Sequence, residues 1–83
     1  MVEANLDYYL LADCAVHGHL EFLKLLLKFK FDFEYYEDFI NSIVENDMHL
    51  SPEIGGLIKE AIKRDCDEGE SKTLSIFVDS IIN

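Results

Sequence analysis

The sequence predicts an all-α domain, a short stack of helical hairpins with about five helices in the order A-B-A-B-A. Apolar triplets with the i, i+3, i+4 spacing of one helix face recur every 34 residues: Leu6/Tyr9/Leu10, Ile40/Ile43/Val44 and Leu74/Phe77/Val78. A second set alternates with them at the same interval, Leu20/Leu23/Leu27 and Ile54/Leu57/Ala61. A constant interval of this size is typical of helical repeats, in which each hairpin buries its apolar face against the next.

Length and composition limit what this chain can be. Its 83 residues suffice for one domain, spanning residues 1–83, without room for a separate cofactor-binding domain. No apolar run is long enough to cross a bilayer, and Met1–Asn5 lacks the basic start of a signal peptide. We therefore expect a cytoplasmic protein that does not enter membranes, with Cys14 and Cys66 kept reduced.

The chain is strongly acidic, with 17 acidic residues against 7 basic ones and a net charge of −10. Direct binding to nucleic acid needs clustered Lys and Arg to neutralise phosphates, so it is not expected. A basic protein partner is expected instead, because opposite charges speed the encounter of two proteins.

The first hairpin is predicted from its ends. A helix from about Asn5 to Val16 stops at His17-Gly18, because glycine readily takes the left-handed conformation that follows a helix. The next helix begins at His19 or Leu20 and is apolar on nearly all sides as far as Phe29. Such a helix is normally surrounded by neighbours, so we expect it to form the centre of the core.

The segment from Phe29 to Tyr35 has a different pattern, in which aromatic and charged residues alternate. A period of two predicts an extended segment with one face packed and the other solvated. Its charged residues, Lys30, Asp32 and Glu34, would protect this edge against aggregation.

Three more helices follow in the second half of the chain. One spans about Glu37 to Asn46, and the next begins with Ser51 as its N-cap and Pro52 at its first position. Gly55-Gly56 inside that helix costs up to about 2 kcal/mol of helix propensity, so either another backbone approaches there or the first turn is irregular. After an acidic loop, the last helix runs from Ser71 or Lys72 to Ile82.

One stretch carries a family resemblance. Cys14-Ala15 sit at two small-residue positions, Gly18-His19 matches a Gly-His turn, and a Leu-Glu-x-x-x-Leu-Leu-Leu run follows from Leu20. Residues 11–34 thereby resemble one ankyrin repeat, and degenerate repeats come after it. The resemblance implies a protein-binding module that uses its turn tips and the surfaces of its first helices, and it places Asp32 in the family's projecting β-turn.

The predicted partner-binding residues are tyrosines and charged residues on turn tips and helix ends. Tyrosine is enriched at interface hot spots because it buries much area and keeps a polar tip. Acidic groups can dock Lys and Arg, although each group is more often plain solvated surface. The set comprises Tyr8, Lys30, Asp32, Glu34, Tyr35, Tyr36, Glu37, Asp38, Glu45, Asp65, Asp67, Glu68 and Glu70.

Cys14, His17 and His19 are the residues that could suggest chemistry. Sulfur and imidazole suit zinc, and a thiol beside a histidine can act as a nucleophile. The spacing supplies neither a nearby fourth ligand nor an orienting third group, so we interpret Cys14 as a packing residue and the histidines as part of the turn. No enzymatic activity, catalytic residue, cofactor or metal is predicted.

Two functions remain open from the sequence. The first is a small acidic inhibitor, of the immunity or anti-defence type, that occludes a basic protein acting on nucleic acid. The alternative is a neutral scaffold or adaptor that recruits a partner without inhibiting it. A homodimer is a further option, because the last helix could leave an apolar side open for a second copy.

Overall fold

The computed structural model describes residues 7–82, and these residues form five α-helices. They are α1 (Tyr8–Val16), α2 (Leu20–Leu26), α3 (Phe33–Glu45), α4 (Pro52–Asp65) and α5 (Glu68–Ile81). Within this range the only β pairing is an isolated bridge between Leu50 and Ile82. The predicted all-α fold is thus confirmed, while the expected first residues of α1, Asn5 and Leu6, lie outside the described range.

The helices form two rows. In the first row α3 packs between α1 and α5, and in the second row α2 covers α1 while α4 covers α5 and touches α3. Leu27 of α2 and Leu57 of α4 line one shallow groove, so the two helices of the second row face each other across it with little direct packing. The stack of hairpins predicted from the 34-residue interval is therefore present, in a body of 37 × 28 × 21 Å.

Aspartate and serine side chains set where four of the helices begin. The carboxylate of Asp7 accepts from Tyr9 N at 2.9 Å, and that of Asp32 accepts from Tyr35 N at 2.9 Å. Ser51 caps α4, and Asp67 caps α5 in a capping box with the side chain of Glu70. A side-chain cap is worth about 1 kcal/mol, because it satisfies backbone N–H groups that have no partner inside the helix.

The extended segment predicted for Phe29 to Tyr35 is wrong. Asp32 caps α3, which begins at Phe33, four residues earlier than expected. The error begins at Phe33, whereas Phe31 before the helix is buried as expected, and its ring stacks on Tyr35 with centroids 4.1 Å apart. A seven-residue alternation is too short to outweigh a strong capping residue followed by good apolar spacing.

The central position predicted for the second helix is also wrong. Leu23, Leu26 and Leu27 are buried, but Phe22 and Leu25 are 46% and 55% exposed. The core lies instead between the two rows, where α3, α4 and α5 contribute side chains with almost no exposed surface: Phe39, Ile40, Ile43, Ile58, Ile62, Leu74 and Val78.

Two glycines are used where the sequence indicated. Gly18 has φ of 72° directly after α1, the left-handed conformation that favours glycine. Gly55 is buried, and a Cβ there would come within 2.6 Å of Ile82 Cγ1. The close approach at Gly55 thus comes from a side chain and not from another backbone. It brings the end of α5 against α4, and the bond from Leu50 N to Ile81 O at 2.8 Å fixes that end.

Candidate functional site

Charge is distributed unequally among the helices. The two helices α1 and α3, together with their N-caps, carry acidic side chains and neither Lys nor Arg: Asp7, Asp13, Asp32, Glu34, Glu37, Asp38 and Glu45. The basic residues lie on α2, α4, α5 and the turn after α2: Lys24, Lys28, Lys30, Lys59, Lys63, Arg64 and Lys72. The exposed side of α1 and α3, which we call the acidic row, is therefore uniformly negative.

A groove of about 460 Å³ runs between α1 and α3. Its walls are mostly apolar, with Tyr9, Val16 and Met48 among them, and Asp13 and Asn46 supply polar groups. Tyr9 and Met48 are exposed, so the apolar surface is open to solvent. The acidic row thus contains a groove in which an apolar side chain can be buried beside the Asp13 carboxylate.

The Asp N-caps of α3 and α5 add a second acidic feature. Burial raises the pKa of the Cys66 thiol, and the carboxylates of Glu70, Asp65, Asp67 and Asp32 raise it further. Asp32 of α3 and Asp67 of α5 therefore both lie on the side of the molecule that carries Cys66. Asp32, Asp67 and Glu68 are exposed there and remain available to a partner, whereas Glu70 is half-buried and occupied in the capping box.

Asp65 and Tyr36, predicted as partner-binding residues, are not available to a partner. Tyr36 is fully buried, and the Asp65 side chain is 1% exposed. The Asp65 carboxylate accepts from Tyr36 Oη at 2.5 Å, from Phe31 N at 3.2 Å and from Arg64 Nε at 2.7 Å. These groups, which we call the Asp65 cluster, connect the end of α4 to the beginning of α3, so their role is structural.

The pKa values within the Asp65 cluster follow from these contacts. Burial alone would raise the pKa of Asp65, but hydrogen bonds from Arg64, Tyr36 and the Phe31 N–H hold it below its usual value. Burial and the bond to the carboxylate raise the pKa of the Tyr36 hydroxyl. The carboxylate is therefore ionised, and the phenol is neutral, throughout the physiological range.

Tyr35 and Tyr8 are the other tyrosines of the predicted set, and they differ in how available their side chains are to a partner. Tyr35 is half-buried, and its hydroxyl is buried without a hydrogen-bond partner within residues 7–82. Burial, and secondarily the Asp7 carboxylate, raise the pKa of Tyr35 to about 12. Tyr8 is half-buried at the start of α1 with its ring 4.4 Å from that of Tyr9. Tyr35 is thus mainly a packing residue, and Tyr8 belongs to the acidic row.

The remaining predicted residues are exposed or half-buried, and most of them gather on α3. Glu34, Asp38 and Glu45 are exposed and Glu37 is half-buried. Asp38 and Glu45 lie one turn before and one turn after Ser42, which lines the groove. Lys30 is exposed in the turn between α2 and α3, and is the one basic member of the set.

Sequence reasoning missed Asp7, Asp13, Tyr9, Val16 and Met48. The groove needs two helices from different hairpins, so its apolar members could not be distinguished from core residues by periodicity. The acidic members had a usable signal, because the lack of Lys and Arg in both stretches can be read directly from the chain.

The Cys14, His17 and His19 group shows no sign of activation. Burial and the Asp13 carboxylate raise the pKa of the Cys14 thiol, opposite to what a nucleophile needs. His17 Nδ1 lies 2.8 Å from the Asp13 backbone oxygen, at the end of α1. Among residues 7–82, no three His, Cys, Asp or Glu side chains are grouped to hold a metal ion.

None of the helices in the described range has the length and apolar composition needed to cross a lipid bilayer. Comparison of the chain with protein-family models, with curated proteins and with solved structures finds no match.

Proposed function

We propose that this chain is a small acidic protein-binding module of the inhibitor or immunity type, which uses the acidic row to occlude a basic, nucleic-acid-acting protein in the cytoplasm. The single observation that supports it most is the absence of Lys and Arg from α1 and α3, around an open apolar groove. In this proposal the hairpins α1–α2 and α3–α4, followed by α5, are degenerate ankyrin-type repeats, and the acidic row is part of the surface of their first helices.

Binding would proceed in two steps with different physical origins. The charge of the acidic row raises the rate of encounter with a basic surface about 10- to 1000-fold at low salt. The groove then buries an apolar anchor of the partner beside Asp13, which slows dissociation. Because a nucleic-acid-binding surface is basic, the complex would cover the same residues that contact phosphates.

The proposal is tested with matched charge reversals in the two rows. Asp38→Lys with Glu45→Lys changes α3, and Glu53→Lys with Glu60→Lys makes the same charge change on the exposed face of α4. Immobilised wild-type protein captures its partner from a lysate of the native host. The nucleic-acid binding of that purified partner is then measured with each protein added.

We expect the captured partner to be basic and to lose nucleic-acid binding with the wild type and the α4 variant, but not with the α3 variant. A partner that binds the wild type and keeps its nucleic-acid binding would indicate the adaptor instead. Equal effects of the two variants would show that total charge, and not the acidic row, decides binding.

A further inference from the structure

The outer side of α2 and of the turn after it exposes an apolar stripe. Phe22 and Leu25 lie on α2 at i and i+3, Phe29 lies three residues beyond its end, and they are 46%, 55% and 47% exposed. Leu10 of α1 lies beside them and lines a common groove with Phe22. Monomeric proteins rarely leave a contiguous apolar patch of this kind in water. Repeat stacks normally end in a polar outer face, whereas this end of the stack is apolar, as is typical of a surface that another molecule covers.

The charges around this stripe are of both signs, and Asp13 of the acidic row also lines the groove beside Leu10 and Phe22. Glu21 lies in the first turn of α2 and Lys28 in the turn after its end, and both are exposed. Lys24 lies between them and pairs with Glu21 at 3.7 Å. A surface with both signs of charge in this order is complementary to a copy of itself, whereas the acidic row repels a copy of itself.

We infer that a second copy of this chain covers the stripe, in a two-fold symmetric dimer with antiparallel α2 helices. A two-fold axis near Leu25 places Glu21 of each copy opposite Lys28 of the other, while Phe22 of each copy packs beside Leu25 of the other. The pairing is the one found in antiparallel coiled coils, where residues on the same flank of two helices meet. The interface uses α2, so α3 and its carboxylates stay exposed.

The size of the molecule sets what affinity to expect. The smallest outline of the body, 28 by 21 Å, is roughly 600 Å², which is below the ~800 Å² of accessible surface that each partner contributes to a standard-size interface. The apolar stripe covers only part of that outline. The dimer is therefore one that forms at high protein concentration and dissociates on dilution.

The experiment is sedimentation equilibrium of the full chain over a wide concentration range. For the wild type we expect the mass to rise from 9.6 kDa towards twice that value. Leu25→Glu should weaken association at least about tenfold. Ile76→Glu places the same charge at an exposed apolar residue of α5, outside the stripe, and should dimerise like the wild type. Circular dichroism confirms that each variant is folded.

A charge swap tests the register of the dimer independently of apolar contact. Glu21→Lys alone and Lys28→Glu alone each place like charges opposite one another and should weaken the dimer. The two changes together restore opposite charges and should return association to within about threefold of the wild type. A wild type that stays monomeric, equal effects of Leu25→Glu and Ile76→Glu, or a double swap without recovery would each overturn the inference.

Discussion

Replacement of Asp65 by Asn probes the contact that holds α3 against the end of α4. The change keeps the shape of the side chain and removes its charge. The buried carboxylate accepts from Tyr36 Oη, Phe31 N and Arg64 Nε, and an amide nitrogen cannot accept from any of them. At least one of the three donors therefore loses its partner, in a site where the Asp65 side chain is buried from water.

The expected loss of stability is about 2–4 kcal/mol. A hydrogen bond to a charged group contributes about 1.5–3 kcal/mol, and a donor left unsatisfied in a buried site costs about 1–3 kcal/mol. The contributions are not additive, and Arg64 is half exposed, so water can replace part of its interaction with the carboxylate. A domain of 83 residues has roughly 4–12 kcal/mol in total, so the loss is large.

Urea denaturation followed by circular dichroism measures this loss, with Asp79→Asn as the control. Asp79 accepts from Lys59 Nζ at 2.6 Å, but both side chains are exposed enough for solvent to screen the pair. The same chemical change should cost less than about 1 kcal/mol there. If Asp65→Asn destabilised the protein no more than Asp79→Asn, the structural role assigned to the Asp65 cluster would be refuted.

The pH dependence provides a second measurement on the same variant. The pKa of Asp65 is lowered on folding, so its ionised form stabilises the native state above the unfolded pKa, about 3.9. That stabilisation is lost as the pH falls through the lower, folded value. The difference in unfolding free energy between wild type and Asp65→Asn should therefore be constant near neutral pH and shrink below about pH 4. A constant difference down to pH 2 would contradict the assigned contacts.

Further predictions concern neighbouring residues with opposite environments. Tyr36→Phe removes a donor to the buried Asp65 carboxylate and should lower the unfolding free energy by about 1–3 kcal/mol in the same urea titration. Tyr35→Phe removes a buried hydroxyl that has no hydrogen-bond partner within residues 7–82. It should leave the unfolding free energy unchanged or raise it by up to about 1 kcal/mol. The Cβ added by Gly56→Ala meets open space on α4, so this change should raise the unfolding free energy by about 0.5–1 kcal/mol. Gly55→Ala should lower the unfolding free energy by about 1–2 kcal/mol, because its Cβ overpacks the end of α5. Equal values for the two variants would contradict that contact. Leu23→Ala should cost about 2–5 kcal/mol and lower the thermal midpoint, and an unchanged midpoint would show that α2 does not contribute to the core.

Local signals were sufficient for most helix ends. Ser51 followed by Pro52 begins α4 as the sequence predicts, because a cap and a proline act on the backbone within one turn. Gly18 ends the first helix for an equally local reason. The 34-residue interval also predicted that α1, α3 and α5 become neighbours, although Val44 and Phe77 of the repeating triplets remain exposed.

Asp65 and Tyr36 show what local patterns could not determine. Both are polar residues at helix ends, and from sequence alone such residues are expected on the surface. They are 29 residues apart, and only the docking of α4 against α3 brings them together and buries both. The groove between α1 and α3 depends on the same long-range packing.

The sequence by itself determined that the chain forms helices, that they stack in hairpins, and that α1 and α3 carry only acidic charge. The tertiary structure alone decided which apolar face is buried. α2 is apolar on nearly all sides, yet Phe22 and Leu25 remain exposed because α2 lies at the end of the stack, with neighbours on only part of its surface. The spacing of apolar residues indicates which helix face can be buried. Whether that face is buried depends on another helix lying on the same side.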